Sequence, residues 1–159
     1  MSFVFYNSTN NPTGLSGTVG GTADTNTPLS GYLGELFTHV FSPPSGLNIS
    51  GAFQYRKVSV KNGHSSTSRE TRAWLDAVEH SGQVSIALEA STNQTSTSPT
   101  GEPSNVTTWS SAADYNSGLE LGNMLAGSIS GIWIRQELSG IQSPDPYASF
   151  TIVVGGLVS

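Results

Sequence analysis

The side chains able to do chemistry are sparse in this 159-residue chain, and their spacing matches no common reactive arrangement. Its histidines, His39, His64 and His80, form neither H-x-x-x-H nor H-E-x-x-H, and cysteine is absent. The sequence therefore offers no metal-ligand spacing, no thiolate nucleophile and no disulfide framework. The histidines read as surface or turn residues. A nucleophile elbow needs Ser at the centre of G-x-S-x-G, but Gly127-Ser128-Ile129-Ser130-Gly131 puts Ile there. Glycine-rich phosphate cradles are absent, and the acidic residues are too scattered to nominate a glycosidase pair. Asn7, Asn48, Asn93 and Asn105 each begin an N-x-S/T sequon, as chance provides in a chain so rich in Asn, Ser and Thr. The expectation is a protein that is not an enzyme and uses neither cofactor nor metal.

Charge and aromatic residues carry more information. Net charge is −5, and five of the six cations (Arg56, Lys57, Lys61, Arg69 and Arg72) fall within one short stretch, with only Arg135 elsewhere. So few cations disfavour binding to nucleic acid. The cluster, Arg56, Lys57 and Lys61 above all, reads either as a basic patch facing an acidic partner or as an edge hairpin protected against strand addition. Trp74, Trp109 and Trp133, with Tyr32, Tyr55, Tyr115 and Tyr147, read as core or interface anchors; the other reading is a stacking platform for a sugar ring.

The elements that must position these residues are strands. Only 11% of the residues are charged, so uncharged Ser, Thr and Asn, with 18 glycines, must supply solubility, and these residue types disfavour long helices. The length suits one domain, 1–159. The opening residues lack the basic and long apolar regions of a secretory signal, and no apolar run reaches membrane-spanning length. Synthesis in a cytoplasm, without membrane association, is expected.

Ala52–Asn62 is the organising strand: Phe53, Tyr55, Lys57, Ser59 and Lys61 alternate with Gln54, Arg56, Val58 and Val60. Asn62-Gly63 supplies a turn in which Gly can take positive φ. Thr71–Val78 and Val84–Leu88 follow, able to pair with the organising strand in a meander. Ser2–Tyr6 is a further strand, and residues 7–30 read as an extended arm or long loop ahead of a main sandwich over 31–159. Tyr32–Phe41 fits a short helix and a strand equally well. Residues 90–108 form a long polar loop, a candidate contact element. Val106–Trp109, Leu119–Leu125, Ile129–Leu138 and Tyr147–Val154 complete the strands. Together they predict an all-β, single-domain β-sandwich or jelly roll with an extended N-terminal arm and long loops.

Several segments in order resemble virion structural proteins of tailed bacteriophages. They are Gly20-Gly21, Glu35-Leu36-Phe37, the run Tyr55–Asn62, Thr71–Leu75, Val84–Leu88, Gly118–Gly122 and Gly131–Arg135, spanning roughly residues 20–137. The resemblance carries no catalytic residues. It implies a capsid decoration (cement) protein on the outside of the virion, a homotrimer that binds the major capsid protein and ties the head together. A neck, tail or fibre subunit is the alternative within that class, and a carbohydrate-binding sandwich the alternative outside it. Phe3, Phe5, Tyr6, Trp109 and Tyr115 are the candidate interface anchors, since aromatics dominate interface hot spots.

Overall fold

The computed structural model describes residues 2–12, 16–29, 53–76, 78, 84–137 and 150–158. The Tyr32–Phe41 element, His39, His80 and Tyr147 lie outside the described residues. Within them the protein is all-β, without a helix, and two antiparallel sheets form a sandwich. The strands are β1 (Phe3–Asn10), β2 (Val19–Leu29), β3 (Phe53–Asn62), β4 (Ser68–Asp76), β5 (Val84–Leu88), β6 (Thr95–Ser96), β7 (Leu119–Met124), β8 (Ile129–Glu137) and β9 (Thr151–Val158). The large sheet runs β5-β8-β3-β1-β2-β6 and the small one β7-β4-β9. From β3 onward the chain crosses repeatedly between sheets, so most neighbours in space are distant in sequence.

Strand β3 is central, pairing β1 through Phe3↔Asn62 to Asn7↔Val58 and β8 through Phe53↔Glu137 to Lys61↔Ile129. The alternation read from the sequence is the one observed. Val58 and Val60 face the small sheet and join Ala73, Leu75, Val84, Ile86, Leu121, Met124, Ile132 and Ile134 in the main core. Tyr55 faces the other way, into a second cluster with Val19, Ala87, Val106 and Trp133. Both faces of β3 are thus buried, and the outer one is covered by the loop from Glu89 to Ser110.

Four expectations change. The meander does not form: β3 pairs β1 and β8, while β4 belongs to the other sheet and pairs β7 and β9. Residues 7–30 are not a free arm where they are described. Residues 7–10 continue β1, and Val19–Leu29 folds back beside it as β2, with bulges that absorb the glycine-rich sequence. Val106–Trp109 is not a strand; Ser110 alone makes a two-bond bridge to Ile86 at the β5 edge. Gly63 also serves another purpose than the one expected. Its φ is not positive, and a Cβ there would collide with the Ser2 carbonyl oxygen.

Candidate functional site

Lys57 lies on the outer face of β3, directly opposite Trp133, and is 1% exposed. Its ammonium forms an ion pair with Glu89 and donates to the carbonyls of Gly21 at 3.0 Å and Gln94 at 3.3 Å. Among the described residues the other partners of that carboxylate are backbone amides: Oε1 accepts from Gly131 N at 3.0 Å and Oε2 from Gln94 N at 3.3 Å. The Gln94 side-chain oxygen accepts from Trp133 Nε1 at 3.0 Å and Ala90 N at 2.9 Å, and its nitrogen donates to the Ser104 carbonyl. One polar knot therefore fastens the 89–110 loop to β2, β3 and β8. Two glycines make room for it. A Cβ at Gly131 would strike both Lys57 and Glu89, and Gly20, at φ +93°, brings its backbone so close that a Cβ would lie 2.5 Å from Gln94 O.

Beside the knot, Arg135 stacks between Trp109, 4.5 Å from the ring centre, and Phe53, at 5.0 Å, and donates from Nε to Ser85 Oγ at 3.1 Å. Tyr55 packs against Trp109 with ring centres 5.7 Å apart. Burial raises the Tyr55 phenol above its ordinary pKa, the Glu102 charge adds to the rise, and Arg135 opposes it.

The residues nominated as an interface fall into separate places. Arg56 and Lys57 are inside, at 0% and 1% exposure, so the basic patch loses both: β3 is a central strand, and neither an edge nor an outward surface. Arg56 faces the inter-sheet side and donates to the Tyr55 carbonyl at 2.9 Å; burial lowers its pKa to about 10, which leaves it protonated at neutral pH. Lys61 is half-buried near the end of β3, in register with Val4 and Ile129. Tyr6 is buried, and Phe3 and Phe5 are partly buried against the main core, Phe3 edge-on to His64 at 5.5 Å. Tyr115 braces the small sheet, edge-on to Trp74 at 5.9 Å, with its hydroxyl donating to Glu70 O at 2.8 Å. Trp133 is wholly buried, which removes it as a sugar platform, while Trp109 is half-buried with Arg135 against its ring.

Another grouping comes from side chains that sequence reasoning did not single out. Leu125, Ile129, Leu157 and Val158 are 65%, 42%, 59% and 41% exposed, and Leu88 is the only other large hydrophobic residue of that class among the described residues. All four belong to one end of the sandwich, where β3 and β7 finish, β8 begins and β9 finishes. The pairings Lys61↔Ile129, Ser68↔Met124 and Ser68↔Val158 bring these strand ends together. Asn62 ties the end across both sheets, donating from Nδ2 to the carbonyls of Ser66, Met124 and Leu125 at 3.0, 2.9 and 3.3 Å and accepting from His64 N at 2.9 Å. The signal was present as isolated apolar residues beside turns; only the register shows that they share one end.

No group of three or more His, Asp or Glu residues is placed to hold a metal ion among the described residues. An open groove of about 610 Å³ runs between Leu88, Glu89, Thr107, Ser117 and the exposed Arg72–Glu120 pair, without a converging set of ionisable groups. A scan of protein-family models, a search of curated proteins and a search of solved structures each returned no match.

Proposed function

We propose that this chain is a non-enzymatic virion structural protein of a tailed bacteriophage, of the capsid decoration type. It is made in the host cytoplasm and binds the major capsid protein on the outside of the head as a homo-oligomer. The observation that carries the reading is the apolar end: four large aliphatic side chains are held in water by a tightly hydrogen-bonded frame. Monomeric proteins rarely gather such residues unless another molecule covers them. The motif resemblance supplies the class of partner and implies a trimer. Repeated weak contacts from one oligomer to several capsid subunits would add through avidity.

The test is to add the purified protein to capsid shells that lack it. Saturable co-sedimentation and a raised shell melting temperature are expected, and both should weaken in Leu125→Ser. No binding to shells overturns the capsid assignment; immunogold label at the neck, tail or fibres of intact particles would move the protein there.

A further inference from the structure

We infer that β9 is a self-association seam, at which two copies of this chain pair edge to edge. The sandwich has four lateral edges among the described residues, and three are protected in ways that discourage strand addition. The β5 edge is closed by Ser110, whose N and O both bond to Ile86 at 2.8 Å. The β6 edge is only two residues long. Along β7, Glu120 is charged and 74% exposed, and the pairing with β4 is broken by register shifts.

Strand β9 shares a register shift with β4, between Arg69 and Arg72, but among the described residues it has neither a closing bridge nor a charged side chain. It is eight residues long, reads TIVVGGLV, contains no charge and no proline, and pairs only with β4 among the described residues. Its outward backbone groups and its exposed Leu157 form one continuous surface leading to the apolar end.

The occupant is a second copy because the strand is complementary to itself. An antiparallel partner related by a two-fold axis through Gly155 sets Val153 opposite Leu157, Ile152 opposite Val158 and Val154 opposite Gly156, so each of these facing side chains is apolar or hydrogen. On a chain of net charge −5, pairing along β9 sets no charged side chain of the strand against its own copy. The small sheets of the two copies then become one six-stranded sheet. A two-fold seam gives an even number of copies, and a threefold clamp built on another surface would be joined in pairs by it. The inference is independent of where the protein sits in a particle.

Native mass spectrometry and sedimentation over a range of protein concentrations test it, together with hydrogen exchange. The expected results are an even-numbered oligomer and β9 amides that exchange more slowly as concentration rises. Leu157→Lys should raise the dissociation constant at least about tenfold while circular dichroism stays unchanged, since that side chain is already largely in water. Leu125→Lys, at the apolar end but off β9, should leave the mass unchanged. A protein that stays monomeric or purely trimeric, or an even oligomer that Leu157→Lys and Leu125→Lys weaken alike, overturns the seam.

Discussion

Val58 and Lys57 are neighbours in β3 and both are almost fully buried, yet they meet very different surroundings. Val58 faces an aliphatic layer drawn from both sheets, in which no side chain needs a specific partner. Lys57 faces a loop whose contact depends on one carboxylate, one amide side chain and two missing Cβ atoms. Apolar burial is non-directional and degrades gradually as methyl groups are lost. A buried charge is all-or-none: with its partner it is satisfied, and without it the remaining ion is stranded in a medium that cannot solvate it. At these two positions the strand is thus held by tolerant contacts on one face and brittle ones on the other.

Substitutions should expose this contrast in urea unfolding. Glu89→Leu, which leaves the Lys57 ammonium with carbonyl partners alone, should cost about 3–5 kcal/mol. Adding Lys57→Met should recover part of that loss, leaving the unpaired amides of Gly131 and Gln94 as the remaining penalty. A double variant no more stable than Glu89→Leu would mean that the loop is held by something other than the ion pair. Gly131→Ala should lose about 1–3 kcal/mol through overpacking of the knot. On the tolerant face Ile134→Val should lose only about 1 kcal/mol. Smallest of all, Glu120→Ala breaks the exposed pair with Arg72 and should change stability by no more than about 0.5 kcal/mol.

Alkaline pH probes the brittle side as well. The Tyr55 phenol is raised from 10.0 in the fold, so the unfolded chain loses that proton first. Its contribution to stability is complete below pH 10 and falls as pH climbs through the raised value. Tyr55→Phe should flatten that fall in denaturation midpoints measured from pH 9 upward, and an equal fall in both proteins would assign it to other groups.

The tolerant face was the legible one. Period-two alternation in Val58, Val60, Ala73, Leu75, Val84, Ile86, Ile132 and Ile134 is a local signal, and it gave the strands and the sandwich directly. The knot was illegible because it joins residues 20, 57, 89, 94, 131 and 133, whose proximity depends on strand order. A cluster of cations in the sequence looks like a patch, but β3 turns Arg56 and Lys57 to opposite sides, Arg56 between the sheets and Lys57 under the 89–110 loop. The β2 sequence reads as an arm because Gly20, Gly21, Asp24, Asn26 and Pro28 are poor strand formers; pairing with β1 overrides that preference. The apolar end was equally hidden, since Leu125 and Leu157 are brought together by register and by no motif.

Asn62 precedes Gly63, a dipeptide prone to spontaneous deamidation, because the glycine nitrogen can attack the side-chain carbonyl and close a cyclic imide. In the fold that side chain is fully buried and held by four hydrogen bonds. The lesion would turn a donor into a carboxylate pointed at the Ser66, Met124 and Leu125 carbonyls, so each event would loosen the frame that had prevented it. Shelf life should then track conformational stability: on storage at mildly alkaline pH, peptide mapping should find aspartate and isoaspartate at position 62 accumulating faster in Glu89→Leu than in the parent. Equal rates would show that this frame does not guard the site.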